Sequence, residues 1–478
     1  MPLHRRLTRL FATLAAALAV TSASGAQPAP PRPRPPNIIL IVADDLGYGD
    51  LGVQGGRDVA TPNIDRLAAE GVRMTDFYAN HPSCAPSRAA LMTGRYQHRF
   101  GFENNPGPAQ HGAPEVGLPR DEGALPERLQ ALGYATGMVG KWHIGFTPEN
   151  QPTGRGFDAF YGFLGGAMAY TADARSGAKS MLRGRAAAPM PAHTTEAFAD
   201  EAARFVRIHA ERPFFLYAAF NAVHAPLQST DPYLARFADV EDPSRRTYLA
   251  MLAALDDAVG RILTAVEAEG LSGDTLVVFT SDNGGPTWQT TSSNGPLNGV
   301  KGLTLEGGIR VPTLFRWTGR IPAGRTSPVV GTGFDITATL LAAAGAPGGE
   351  DLDGVDLMPY LTGAAKGPAH EALYWRLGPQ AAVRSGRWKA VKAEDRWFLF
   401  DLATDPGERH DLATRRPERL RELQARWSRW SASMSPPRWG ALNRTGAAPP
   451  GEVRRLVEAY VAGEPTDPRS LLYGGGPE

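Results

Sequence analysis

The chain has 478 residues, of which 42% are hydrophobic and 21% charged, so a short peptide and a disordered chain are both excluded and a sizeable core is possible. Fifty Lys and Arg against 49 Asp and Glu leave a formal charge of +1, which offers no general field for nucleic acid or an anionic membrane. Only six of the cations are Lys, at positions 141, 179, 301, 366, 389 and 392, and that scarcity sharpens any motif containing one.

The first 26 residues read as an export signal. Arg5, Arg6 and Arg9 precede an apolar run from Leu10 to Val20, and Ser24-Gly25-Ala26 supplies a small-residue cleavage site. The run is shorter than the ~20 residues a spanning helix needs, and no later stretch reaches that length. The expectation is an exported protein, periplasmic or secreted, with no stable membrane insertion. Residues 27–36, QPAPPRPRPP, form a Pro-rich spacer. In an oxidising compartment the single cysteine, Cys84, is conspicuous, because it has no internal partner for a disulfide.

From Asn37 onward, buried-strand patterns occur at NIILIVA (37–43), ATGMVG (135–140), FFLYAAF (214–220), TLVVFT (275–280) and PTLFRW (312–317). Helical patterns lie between them at 63–70, 125–132, 195–210 and 246–270. This alternation predicts an α/β domain over 37–365, with a large, mostly parallel sheet sandwiched by helices. After a Gly/Pro-rich stretch the texture changes to ALYWRL, AAVRSGRWKAVK and DRWFLFDLATDP, followed by an amphipathic pattern near 416–433. Residues 366–478 are therefore expected to form a small C-terminal α+β subdomain of antiparallel sheet plus helix, ending in a tail along the surface.

Open α/β sheets bind ligands beyond the carboxyl ends of their strands, and four of the five strand ends here are chemically loaded. They carry Asp44-Asp45, Lys141-Trp142-His143, Asn221 to His224, and Ser281-Asp282-Asn283-Gly284. Asp44, Asp45, Asp282 and Asn283 offer hard oxygen donors suited to Ca²⁺ or Mg²⁺, and no His/Cys spacing suggests Zn²⁺. The plainer alternative is that they cap the turns that follow. Lys141 and His143, two apart on an extended segment and preceded by Gly140, can bind an anion and move a proton. His224 in Val-His-Ala-Pro and Lys301 in Gly-Val-Lys-Gly-Leu are ambiguous singly, with the Gly-rich setting of Lys301 favouring an anion site.

Cys84-Ala85-Pro86-Ser87-Arg88, followed by Thr93-Gly94-Arg95, resembles the signature of the type I sulfatases. The resemblance extends in family order to Asp44-Asp45, Gly-Lys-Trp-His, Val-His-Ala-Pro, Ser-Asp-Asn-Gly and Lys301. It implies an arylsulfatase-like member of the alkaline phosphatase superfamily, in which Cys84 is oxidised to formylglycine by a maturation enzyme acting on the unfolded chain. It also implies a divalent cation, Ca²⁺ or alternatively Mg²⁺, held by Asp44, Asp45, Asp282, Asn283 and an oxygen from residue 84 in place of the Cys84 sulfur.

In the mechanism that the resemblance implies, a hydroxyl of the hydrated aldehyde attacks the sulfur of a sulfate ester to form a covalent sulfo-enzyme. Arg88 holds the hydrate, while Lys141, His224 and Lys301 clamp the sulfate and the leaving oxygen. His224 protonates the departing alcohol or phenol, and His143 is the base that lets the intermediate expel sulfate. The implied substrate is an aryl sulfate or a sulfated saccharide. In one departure from the family, the Ser that touches sulfate in some arylsulfatases has no counterpart in Gly162 to Ala167. Two other functions fit the same residues, a phosphonate or phosphate ester hydrolase and a non-catalytic protein binding sulfated polysaccharide. The Pro-Ser within the motif opposes the first, and the complete set of catalytic positions opposes the second. Residues 100–112 and 169–193 are expected to line the pocket mouth.

Overall fold

A computed structural model describes residues 34–440 apart from 108–109, 114, 173–180, 347–348 and 350, together with 451–464, 466 and 468. The predicted export signal and most of the spacer lie outside the described residues, as does the middle of the 169–193 segment. All five predicted strands form, as Asn37–Ala43, Ala135–Lys141, Phe214–Ala219, Thr275–Ser281 and Thr313–Arg316, and every residue in them is buried.

Their continuous apolar reading follows from cover on both faces. Successive side chains point to opposite sides of a sheet. Ile39, Ile41 and Ala43 enter a core shared with the helices Thr194–Ile208 and Pro243–Ala268. Ile38, Leu40 and Val42 enter another, shared with the helices Cys84–Thr93 and Gly333–Ala343. Each fully buried aliphatic side chain contributes roughly 1.5–3 kcal/mol, so neither face can be left uncovered.

The large sheet has ten strands. Thr275–Ser281, Asn37–Ala43, Phe214–Ala219, Ala135–Lys141 and Ala159–Phe163 lie side by side in that order, and every neighbouring pair among them is parallel. Thr313–Arg316 instead runs antiparallel to Thr275–Ser281. A strand buried on both faces has the same pattern in either direction, so the sequence does not betray this reversal. The edge strands Met181–Arg183 and Ala186–Ala188 are short and partly exposed, which explains why no strand pattern marks them.

The C-terminal sheet has four antiparallel strands in simple sequence order, Leu373–Leu377, Gln380–Ser385, Trp388–Ala393 and Arg396–Asp401. The helix Pro417–Ala432 covers one face, with Leu423 buried against Val383, Ala390 and Leu399. The tail differs from its expected surface course. It contains the helix Glu452–Ala462, whose Val453, Leu456 and Val457 join the core cluster of Val300, Leu303, Leu305 and Trp375. The described residues from Pro35 onward form one compact unit, and among them no helix is long and apolar enough to cross a membrane.

Candidate active site

The four loaded strand ends converge at one rim of the parallel sheet. Asp44 and Asp45 leave the central strand, and their turn is stitched to the one carrying His224. Asp44 N donates to Ala222 O at 2.9 Å, and Val223 N donates to Asp44 O at 2.8 Å. On the other side of the central strand, Asp282 N donates to Ala43 O at 3.2 Å, and Asp45 N donates to Asp282 Oδ1 at 3.3 Å. Backbone pairing therefore fixes the carboxylates before any ligand is considered.

Three cations neutralise them. Lys141 Nζ donates to Asp44 Oδ2 at 2.6 Å, and Lys301 Nζ lies 2.8 Å from each oxygen of Asp45. Arg88 donates from Nε to Asp282 Oδ2 at 2.8 Å and from Nη1 to Lys141 O at 3.1 Å, with Nη2 3.6 Å from Asp44 Oδ1. Burial opposes ionisation of Asp44 and Asp45, but Lys141 beside the first and Lys301 beside the second hold both carboxyls below their ordinary range. Asp282 is different: burial and the charge of Asp44 push its pKa up despite Arg88.

Cys84 is the first residue of the helix Cys84–Thr93, and Arg88 follows one turn later on the same face. The Cys84 sulfur is 4.0 Å from Asp45 Oδ1. Burial pushes the thiol up to about 12, which leaves it a poor nucleophile at neutral pH. Ligand atoms of Asp44, Asp45, Cys84 and His224 lie within 4.8 Å of one another, a possible metal-binding group. Asp44 Oδ1 and the neighbouring Asn283 Oδ1 are buried and accept no hydrogen bond, while Asn283 Nδ2 donates to Asp45 Oδ1 at 2.7 Å. Orphaned oxygens beside a ring of carboxylates fit a hard divalent cation.

The two histidines face this cluster differently. His224 Nδ1 lies 2.6 Å from Ala225 O, which leaves Nε2 toward the site, 3.6 Å from Asp45 Oδ2. Burial lowers its pKa more than Asp45 raises it. His143 is buried with Nδ1 unbonded; burial first, then Lys141 and Arg88, hold it neutral well below its ordinary value.

Two details of the Gly140 to His143 segment correct the sequence reading. His143 has φ 65, so it leaves the strand in a left-handed conformation rather than sharing an extended face with Lys141. Gly140, at φ 96, serves strand packing and not ligand approach, because a Cβ there would sit 1.9 Å from Ala219 O on the neighbouring strand.

All the predicted site residues come together in this cluster, and two further residues support it. Asn105 Oδ1 accepts from Ala85 N at 3.0 Å, in the first turn of the helix, where N–H groups lack intrahelical partners. The Tyr170 hydroxyl reaches both Asn221 O and, at 2.8 Å, His224 O, bracketing the turn that aims His224. Both act on backbone groups from distant loops, so no local spacing could have revealed them.

Comparisons with known proteins agree with this geometry. The family model described as Sulfatase matches residues 36–346, and the model for N-sulphoglucosamine sulphohydrolase, C-terminal, matches residues 300–429. N-acetylgalactosamine-6-sulfatase of Canis lupus familiaris is 38% identical over 381 residues, covering 75% of this chain and 72% of that one. Arylsulfatase A of Bos taurus is 37% identical, covering 79% and 83%. Among solved structures, Ps i-CgsB in complex with k-i-k-neocarrahexaose superposes with a TM-score of 0.81 at 36% identity, covering 88% of this chain and 99% of that one. A family model over most of the chain, relatives of such identity and coverage, and the alkaline-phosphatase-like layers place the chain in the sulfatase family, as a type I sulfatase of the alkaline phosphatase superfamily and a sulfuric ester hydrolase.

Proposed function

We propose that this protein is an exported sulfatase that removes sulfate from saccharide or aryl sulfate esters, using formylglycine formed from Cys84 and a divalent cation, Ca²⁺ or Mg²⁺. The observation that carries the reading is the position of Cys84. Cys84 opens a helix beside a cluster of carboxylates, lysines and histidines, and burial pushes its thiol up to about 12, which leaves little thiolate at neutral pH. Oxidation to the aldehyde by a maturation enzyme supplies, as the hydrate, a hydroxyl oxygen for attack on sulfur. Asp44, Asp45, Asp282, Asn283 and an oxygen of residue 84 would hold the cation, which would supply Lewis acidity and neutralise sulfate charge.

The remaining chemistry belongs to the chain. Lys141 and Lys301 are already paired with Asp44 and Asp45, so a divalent ion added to this set leaves a net positive site for an anionic ester. Both ammonium groups then take sulfate oxygens as charge develops. Arg88 holds Asp282 and stands one turn from residue 84, where it orients the hydrate. His224 donates from Nδ1 to Ala225 O and turns Nε2 to the site, so it gives a proton to the leaving oxygen only as the imidazolium, the form that Asp45 at 3.6 Å favours against burial. Neutral His143 is in the state needed to accept the proton whose removal expels sulfate. The saccharide reading draws support from the hexasaccharide in the Ps i-CgsB structure and the sugar named in N-acetylgalactosamine-6-sulfatase.

Peptide mass spectrometry across Cys84 on protein from a host with the maturation enzyme is the test. The aldehyde mass is expected, together with turnover of para-nitrophenyl sulfate that rises with aldehyde content. Turnover by protein carrying only the thiol would falsify the proposed nucleophile. Elemental analysis without chelator is expected to find a divalent metal in the active protein.

A further inference from the structure

One side chain of the C-terminal sheet holds the segment carrying Lys301 with both ends of its amide. Gln380 opens the second strand of that sheet and is 2% exposed. Its Nε2 donates to Gly302 O at 2.9 Å, and its Oε1 accepts from Thr304 N at 3.2 Å. These two backbone groups lie one and three residues beyond Lys301. A side-chain amide carries a donor and an acceptor together, which matches a carbonyl and an N–H presented by one loop.

The gripped segment also packs through Val300, Leu303 and Leu305, which are buried in one cluster with Trp375 and Ala382, and Thr304 Oγ1 donates to Ala381 O at 3.5 Å. Two backbone bonds tie it to the active-site segments, Lys301 N to Gly285 O at 3.3 Å and Gly302 N to Pro82 O at 2.8 Å. The first ties it to the turn after Asn283, and the second to the residue two before Cys84. Gln380 thus presses onto the short strip of backbone that sets Lys301 relative to both the Cys84 helix and the Asp282-Asn283 turn. Without it, two buried backbone groups lose their partners, and the loop has to move to find others.

We propose that Gln380 is a positioning residue for Lys301, and that the C-terminal sheet thereby sets the sulfate-binding geometry of a site whose other charged groups all come from the large sheet and the segments around it. The proposal rests on the reading of Lys301 as a sulfate ligand. It gives the C-terminal sheet a part in binding the reacting group, in addition to closing the core.

The test uses the full-length protein, with the aldehyde content at residue 84 measured in every preparation and rates expressed per matured site. Gln380→Met keeps the length of the side chain and removes both hydrogen bonds. Its kcat/KM on para-nitrophenyl sulfate is expected to fall by roughly ten- to a hundredfold, as for a small misplacement of a binding group, and the inhibition constant of inorganic sulfate to rise with it. A merely structural role lowers the melting temperature but leaves that constant unchanged in the folded fraction. Lys301→Met is the reference: it raises the same constant, and adding Gln380→Met to it brings no further rise, because both act through one ammonium group.

A Gln380→Met protein with the wild-type sulfate constant overturns the proposal, and so does a double variant in which the two effects multiply. A Lys301→Met protein with the wild-type constant overturns the sulfate-ligand reading and the proposal with it, a failure recognisable because the reference itself does not respond. Gln380→Leu replaces Gln380→Met if the latter does not fold. It likewise removes both hydrogen bonds, so a comparable rise is expected and no rise counts against the proposal.

Discussion

Arg88 shows how much of this site is internal scaffolding. Its guanidinium is fully buried, with Nε held by Asp282 and Nη1 by the carbonyl of Lys141, while Nη2, 3.6 Å from Asp44, keeps hydrogen-bonding capacity toward residue 84. Removing one member of a buried pair leaves the other uncompensated, at a cost of about 3–5 kcal/mol. Arg88→Gln is therefore expected to lower the urea midpoint by that equivalent and to abolish sulfate ester turnover, whereas a residue serving only the reacting atoms would cost activity and spare the midpoint. At this scale the sequence was largely legible, because Asp44, Asp45, Lys141, His143, His224, Asp282 and Asn283 sit in short motifs that follow strands, and Cys84 and Lys301 in short motifs of their own. Asn105, Tyr170 and Gln380 were not, because each acts on backbone groups far along the chain, and such contacts impose no spacing. The small residues from Gly162 to Ala167 gain a partial reason: a Cβ on Gly166 would come within 2.8 Å of the His143 ring, so a larger residue there would displace the proposed base.

Among the helices, Gly333–Ala343 carries the clearest pH dependence. Its third residue, Asp335, closes a capping box by accepting from Thr332 N at 2.8 Å, and also accepts from Val355 N at 2.8 Å. His370 Nε2 stands 2.9 Å from both oxygens of this carboxylate. Burial opposes the charged imidazole, but Asp335 outweighs it and holds the His370 pKa above 6.5. The charged pair then stabilises fully below pH 6.5, and the gain is lost as pH rises through the folded-state value. His370→Asn is expected to cost about 1–2 kcal/mol at acidic pH and progressively less as the pH rises, read from urea midpoints across the range. A flat difference would mean that the pair is not ionised in the folded protein. The same helix was missed in the sequence reading, since its run of Ala, Leu and Thr has no polar face: it is buried along most of its length, packed against the Cys84 helix. Thr194–Ile208, which keeps one partly solvated face, was legible from its period for the opposite reason.

For the molecule as a whole, the connection between the two sheets passes through a buried charge cluster. Lys389 Nζ, from the C-terminal sheet, lies 2.8 Å from Glu306 Oε1 and 2.9 Å from Glu408 Oε1. Burial opposes the ionisation of both carboxyls. Lys389, with Arg310 and Arg384, nevertheless brings Glu306 down to about 2. For Glu408 burial prevails, and with the repulsion of Glu306 its pKa rises to about 7 despite Lys389. Because the folded state keeps a proton on Glu408 that the unfolded chain has lost, stability falls as pH rises from about 4.5 to about 7. Glu408→Gln is expected to flatten that part of the stability profile. Lys389→Met, which strands Glu306, is expected to cost about 3–5 kcal/mol. Chemical denaturation from pH 4.5 to 8 checks both; a Glu408→Gln profile parallel to wild type would contradict the assignment. The α/β order, the parallel centre and the antiparallel C-terminal sheet were legible from hydrophobic periodicity. This ionic seam was not, because Glu306, Lys389 and Glu408 are separated by long stretches of chain and only folding brings them together.

All ten residues of the Cys84–Thr93 helix are buried, and Cys84 itself is 1% exposed. On the proposed chemistry, that burial divides every preparation into two populations whose proportions are set once, at synthesis, because a finished molecule gives a maturation enzyme no access to its substrate residue. The inert fraction has the same core, so it should co-purify with the active one. Specific activity would then record the race between folding and oxidation in the producing cell more faithfully than it records the intrinsic rate of the enzyme. Unfolding and refolding a mixed sample should return the same ratio, whereas supplying the maturation enzyme and oxygen during the unfolded interval should raise it.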